Sequence, residues 1–183
     1  MPDHNPHSAP PSVLFAASEI YPLAKTGGLG DVAQGLPMAL HRLGCDIRLV
    51  MPAYRSAVER MGRLTLRAEL QPAGTEYRAR IYETRLPGTR VTLYAVDIPE
   101  YFDRVGNPYV TADGHDWPDN AERFAAFSRV VTRMAMDEAE LGWRPQVVHC
   151  NDWQTGLIPP LLSLRPRRPA TILSVFLQFH YPS

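Results

Sequence analysis

Short, mostly apolar runs recur at residues 13–17, 47–51 and 146–150. Runs of that length suit strands buried on both faces of a parallel sheet. Between the first two, Val32, Leu36, Ala39, Leu40 and Leu43 recur at helical spacing. They predict a helix over about 31–43, stopped by Gly44. Pro37 falls inside that stretch, so the helix is expected either to bend there or to begin there. Strand, helix, strand within about forty residues is a βαβ unit and implies a parallel sheet.

Residues 63–98 follow a different rhythm. Leu64, Leu66, Tyr77, Ala79, Ile81, Val91, Leu93 and Ala95 alternate with polar residues, and Gly74 and Pro87-Gly88 supply turns. This predicts an antiparallel insertion. A loop rich in Pro, Gly, Asp and Asn covers 103–118. Asp119 with Glu122 then forms a capping box for a long helix, whose apolar face is Phe124, Phe127, Val131, Met134 and Leu141 and whose stop is Gly142. After the strand at 146–150, Asn151-Asp152 is expected to cap a short helix reaching Leu164, made irregular by Pro159-Pro160. One further strand is expected over 171–179. There is no internal repeat and no linker. The pattern predicts one α/β domain, a doubly wound, Rossmann-like parallel sheet with an antiparallel insertion.

The 183-residue composition changes this picture little. Nineteen basic residues balance nineteen acidic ones, which gives no reason to expect nucleic acid or an anionic membrane as partner. Any anionic ligand must be held by a local site. Cys45 and Cys150 each sit in an apolar stretch and read as buried free thiols; metal-ligand spacing is missing. Residues 1–12 carry four prolines and neither a basic nor an apolar segment. They read as a disordered lead-in rather than a secretory signal. No apolar run is long enough to span a bilayer, and a cytoplasmic protein is expected.

The candidate chemistry begins at Lys25-Thr26-Gly27-Gly28-Leu29-Gly30-Asp31-Val32, between the first strand and the first helix. Open α/β sheets bind ligands at this edge. Glycines admit a close ligand, helix N-terminal N–H groups favour an anion, and Lys25 adds positive charge. The Walker pattern is absent. Gly28-x-Gly30-x-x-Ala33 matches a loose dinucleotide fingerprint, but about ten residues separate it from its strand, and Asp46 begins the second strand instead of ending it. A nicotinamide dehydrogenase is therefore the weaker reading, and a plain glycine turn remains the bland one. A second loop, His149, Asn151, Asp152 and Trp153, follows another parallel strand and reaches the same edge. An aromatic face beside carboxylate and amide groups suits a sugar, while Asp152 as a mere helix cap and Trp153 as core packing fit equally well. Glu19 is placed to order the glycine loop. His41 and His115 read as surface residues.

These segments resemble bacterial glycogen synthases and plant starch synthases. The resemblance runs through Ser18-Glu19-x-x-Pro22-x-x-Lys25-Thr26-Gly27-Gly28-Leu29-Gly30-Asp31-Val32, then Asp119-Asn120-x-x-Arg123-Phe124-x-x-Phe127-Ser128. It continues through Trp143-Arg144-Pro145 and His149-x-Asn151-Asp152-Trp153-Gln154-Thr155-Gly156-Leu157. It covers about residues 13–170. It implies the N-terminal half of a GT-B glycosyltransferase that moves glucose from ADP-glucose to the non-reducing end of an α-1,4-glucan with retention, without metal or cofactor. By resemblance Lys25, Thr26, Gly27, Gly28 and Asp31 line the ADP-glucose site, and His149, Asn151, Asp152 and Trp153 line the sugar and acceptor cleft. The main catalytic groups of the family lie in its second domain, so residues 13–183 are expected to be an incomplete catalytic domain, inactive alone. The end of the chain also departs from the family's histidine motif after Val175, and His180 is given no role. A non-catalytic sugar- or nucleotide-binding module is the alternative.

Overall fold

The computed structural model describes residues 9–72 and 74–176. Seven strands form one sheet: β1 (Ser12–Ala16), β2 (Asp46–Pro52), β3 (Thr65–Leu70), β4 (Ala79–Arg85), β5 (Thr92–Asp97), β6 (Val147–Asn151) and β7 (Ala170–Ser174). The order across the sheet is β3-β4-β5-β2-β1-β6-β7. The five strands from β5 to β7 run parallel, and β3-β4-β5 form the expected antiparallel meander. That insertion does not stand apart. Its last strand returns parallel to β2 and extends the central sheet, so the meander forms one edge of it. The central apolar runs are buried because helices cover both faces; Leu14, Phe15, Leu49, Val50, Val148 and Cys150 are all inaccessible or nearly so.

The helices are α1 (Leu29–Arg42), the single turns α2 (Arg55–Val58) and α3 (Pro99–Phe102), α4 (Asn120–Ala135) and α5 (Ile158–Ser163). α1 begins at Leu29, well before Pro37, and continues through it. Its buried side is Leu29, Ala33 and Pro37, while Val32, Leu36 and Leu43 stay exposed. Of the expected apolar face, Leu40 packs against the core, but most of the rest faces outward. Apolar residues occur nearly all round this helix, and the side carrying the fully buried Ala33 is the one that meets the core, a choice that spacing alone does not reveal. Gly44 at φ +88 ends the helix as expected.

The long helix departs from expectation at both ends. Asp119 makes no capping bond. Its carboxylate instead pairs with Arg104 at 2.6 and 2.8 Å, and that bond holds its pKa below the usual carboxylate value. Glu122 is exposed. A bidentate guanidinium outcompetes a backbone N–H for the same oxygens. The helix stops at Ala135, because Asp137 (φ 58) and Glu140 (φ 52) turn the chain before the buried Leu141 is reached. The segment after β6 is a single 3-10 turn (Trp153–Thr155) followed by α5, not one helix. β1 also takes in Ser12, which hydrogen-bonds to Gln146 and so belongs to the sheet rather than to the lead-in. β7 ends at Ser174; the rest of the expected strand beyond residue 176, with His180, lies outside the described residues.

The topology places the site. From β1 the chain crosses through α1 to β2 on one side, whereas β6 and β7 build outward on the other. The strand order thus reverses between β1 and β6. Ala16 pairs with Val50 and with Cys150, so the C-terminal ends of these three strands lie level. Diverging crossovers leave a crevice at such a switch point.

Candidate functional site

Two loops close over that crevice, 17–28 after β1 and 152–157 after β6. A third comes from a distance: the 103–118 loop, which folds back beneath them. Together they enclose a cleft of about 540 Å³ walled by Glu19, Thr26, Gly27, Gly28, Leu29, Val32, Tyr109, Asp152, Trp153, Gln154 and Phe176.

Glu19 organises the first wall. It is buried, and its carboxylate accepts from the Thr26 N–H, from the Thr26 hydroxyl at 2.8 Å and from the Tyr109 hydroxyl at 2.7 Å. The expected ordering of the glycine loop is thus achieved through Thr26. Within the loop two glycines play different parts. A Cβ on Gly30 would meet the Ala24 carbonyl at 3.0 Å, so packing itself demands glycine there. Among the described residues a Cβ on Gly28 would meet nothing within 4 Å, although Gly28 lines the cleft. The fold does not require a bare backbone at Gly28; a ligand approaching closely would.

Tyr109 forms the second wall. Its hydroxyl lies 2.7 Å from both Ser18 Oγ and Glu19, and burial pushes its pKa far up, so the phenol stays neutral. The loop that carries it is fastened from below. Arg123, only 1% exposed, donates to the carbonyls of Tyr101 and Pro108 and to Asn120 Oδ1. Asn107 Oδ1 accepts from the N–H groups of Tyr109 and Val110 at 2.8 Å each.

The third wall is the turn after β6. Asp152 has φ 64 and ψ −179, a region almost restricted to glycine. Its carboxylate accepts from the Trp153 N–H at 2.8 Å, which is the expected cap in its simplest form. Trp153 is 54% exposed, edge-on to Phe124 at 5.2 Å and tilted against Tyr109 at 6.3 Å. It is therefore not core packing. Gln154 is buried beside it.

Of the nine residues singled out in the sequence, Thr26, Gly27, Gly28, Asp152 and Trp153 line the cleft. Lys25 and Asp31 do not. Lys25 Nζ lies 2.7 Å from Asp31 Oδ2, an exposed pair beside the glycine loop. His149 points elsewhere, bonding Ser174 Oγ at 2.9 Å and meeting the Phe15 ring edge-on, and burial lowers its pKa. Asn151 is fully buried, and its amide donates to the Ala16 and His149 carbonyls, tying β6 to β1. Sequence reasoning missed Tyr109 and gave Gln154 no role. The available signal for Tyr109 was a long polar loop carrying an aromatic, an arrangement more often functional than idle. Among the described residues no group of three or more His, Cys, Asp or Glu is placed to hold a metal ion, and no helix is long and apolar enough to cross a membrane.

The cleft thus offers aromatic faces, two carboxylates, an amide and open glycine backbone, with no lysine or arginine among the described residues of its wall. That set suits a neutral polyhydroxyl ring: C–H faces stack on the aromatics while hydroxyls meet the polar groups.

Comparison with known proteins adds the lineage. Residues 12–181 match the family described as starch synthase catalytic domain. The chain is 52% identical over 164 residues to the glycogen synthase of Cellvibrio japonicus, covering 90% of this chain and 34% of that protein. It is 53% identical over 166 residues to glycogen synthase 1 of Methylococcus capsulatus, covering 89% and 32%. Among solved structures, the catalytic domain of starch synthase IV from Arabidopsis thaliana bound to ADP and acarbose superposes with a TM-score of 0.70 at 30% identity, covering 85% of this chain and 30% of that one. The chain spans about a third of the length of these relatives.

Proposed function

Because the chain belongs to the starch synthase catalytic domain family, we propose that its cleft is one wall of a glucosyl-transfer site serving glycogen biosynthesis. The reaction is transfer of glucose from ADP-glucose to the non-reducing end of an α-1,4-glucan with retention of configuration. The observation that carries this reading is the cleft itself: an exposed Trp153 and a neutral Tyr109 stand over Asp152, Glu19 and the bare Gly28 backbone. A glucosyl ring fits that chemistry, and a diphosphate does not. The relative from Arabidopsis was solved with ADP and with acarbose, which supports a nucleotide and a saccharide as the ligand classes.

The diphosphate is assigned to the rim. The N–H groups in the first turn of α1 have no helical partners and point toward the glycine loop side. Lys25 supplies a positive charge there once it exchanges Asp31 for phosphate oxygens, a surface pair being cheap to open. A leaving diphosphate needs fixed positive charge developed against it in the transition state. The cleft wall of the described residues holds none. Lys25 alone is a weak device, so the remaining charge is assigned to the part of the longer relatives that this chain does not span, and the chain by itself is expected to bind without turnover.

Calorimetric titration of the full chain with ADP-glucose, maltotriose and NADH tests this. Saturable binding of the first two and none of NADH is expected. Fusion of residues 1–170 to the remaining two thirds of the Cellvibrio japonicus enzyme should then incorporate labelled glucose from ADP-glucose into glycogen, and Lys25→Ala in the fusion should lower efficiency by about tenfold or more, the loss of one charge-assisted contact. Binding of NADH alone, with neither sugar ligand bound, would sink the glucosyltransferase reading and restore the dehydrogenase one.

A further inference from the structure

We propose that Gln154 is a specificity-determining residue that hydrogen-bonds one hydroxyl of the glucosyl ring seated against Tyr109 and Trp153. This rests on the glucosyl-transfer reading above and deepens it.

The polar groups of the cleft wall divide by what they already hold. Glu19 takes three hydrogen bonds from Thr26 and Tyr109. The Thr26 hydroxyl is spent on Glu19, and the Tyr109 hydroxyl is shared between Ser18 and Glu19. One oxygen of Asp152 caps Trp153. Gln154 differs. It lines the cleft at only 4% exposure, and among the described residues its Oε1 has no hydrogen-bond partner. Its backbone carbonyl is engaged by Ser128 Oγ at 3.4 Å. Buried amides without partners are rare in folded proteins, and one beside a cleft is completed by what the cleft takes up.

The amide is also well held for the task. Gln154 lies in the 3-10 turn that follows the strained Asp152, and Thr155 closes that turn onto the Asp152 carbonyl with its N–H at 3.1 Å and its hydroxyl at 3.0 Å. α4 packs against the same turn. A rotation of the terminal amide exchanges its N–H2 and its oxygen. Either edge meets a hydroxyl, which both donates and accepts, whereas a diphosphate would accept only. The ring concerned could belong to the donor or to the glucan, since both are glucosyl units.

The test is a cycle between protein and ligand. Full-length chain and its Gln154→Met variant, which keeps an unbranched side chain of similar length, are titrated with maltotriose, with ADP-glucose and with monodeoxy analogues of each. Gln154→Met should weaken one of the two ligands about three- to tenfold, the span of one neutral hydrogen bond. One deoxy position should show the same loss with the parent and no additional loss with the variant. The ligand that responds identifies whether the ring is donor or acceptor. If Gln154→Met does not fold, Gln154→Leu, which likewise removes both the amide donor and the oxygen, replaces it in the same cycle. Equal binding of parent and variant, or strictly additive losses at every deoxy position, would overturn the assignment while leaving the glucosyl-transfer reading intact. Absence of binding of both maltotriose and ADP-glucose to the parent chain would overturn both.

Discussion

Arg123→Met is expected to loosen the cleft from below without touching its wall. The guanidinium donates at 2.8 Å to the Tyr101 carbonyl, at 3.2 Å to that of Pro108 and at 2.9 Å to Asn120 Oδ1. Among the described residues it has no carboxylate partner. The rings of Phe102, Trp117 and Phe124 surround it, with centroids 5.4 to 5.6 Å from the charge. Burial lowers its pKa, which marks the cost of keeping a cation in a dry site. Methionine refills the volume, removes that cost and deletes three bonds. At about 1 kcal/mol net for each bond, with the charge raising the value and the relieved desolvation lowering it, the loss is about 3 kcal/mol. For a domain of this size each kcal/mol moves Tm by about 2–4 °C, so a fall of about 6–12 °C is expected by circular dichroism. The Pro108 carbonyl belongs to the loop that delivers Tyr109, and the Tyr101 carbonyl to α3, which leads into it. Hydrogen exchange should therefore quicken first over residues 101–118, ahead of the central strands. A Tm within about 2 °C of the parent, with unchanged protection over that loop, would refute the reasoning and show that aromatic packing alone holds it.

The two glycines of the loop should separate stability from binding. Gly30→Ala forces a Cβ to 3.0 Å from the Ala24 carbonyl and should lower Tm, whereas Gly28→Ala should leave Tm unchanged and abolish saturable maltotriose or ADP-glucose binding; the reverse pattern in paired melts and titrations would contradict the assignment of Gly28 to the ligand. Glu19→Ala strips the Thr26 N–H, the Thr26 hydroxyl and the Tyr109 hydroxyl of one shared acceptor and should cost about 2–4 kcal/mol, read as a lower urea midpoint; a midpoint equal to the parent's would show that water replaces the carboxylate. For His149 the sign follows from its lowered folded-state pKa: the unfolded chain takes up the proton more readily, so stability is full above the ordinary imidazole pKa of about 6.5 and declines as pH falls through it toward the folded value. His149→Gln should flatten that decline in urea midpoints measured from pH 7.5 to 5, and superimposable slopes for parent and variant would refute the assignment.

The parallel order of the sheet was readable from the chain because its cause is local. Mostly apolar runs such as those around Leu14, Leu49 and Val148 suit strands covered on both faces, and the helix between the first two dictates their direction. The glycine loop and the Asp152-Trp153 turn could likewise be placed on one edge, since both follow parallel strands. Which side of α1 meets the core, by contrast, was not legible: the buried side carries Ala33 and Pro37, and the periodic apolar residues of that helix point both ways. Asp119 was legible as a cap only while Arg104, fifteen residues earlier, was not known to reach it. The same limit applied at the site. Lys25 and Asp31 carry charges whose nearest partners proved to be each other, and His149 and Asn151 turned inward to join strands. Tyr109 stands ninety residues from Glu19 along the chain, and their meeting at 2.7 Å is set by Arg123 folding an intervening loop back across the sheet edge. Sequence spacing carries the identity of neighbours within a turn or a strand. Contacts between distant segments are decided by the three-dimensional path of the backbone, where packing and the pairing of buried polar groups select one arrangement among many that the local pattern allows.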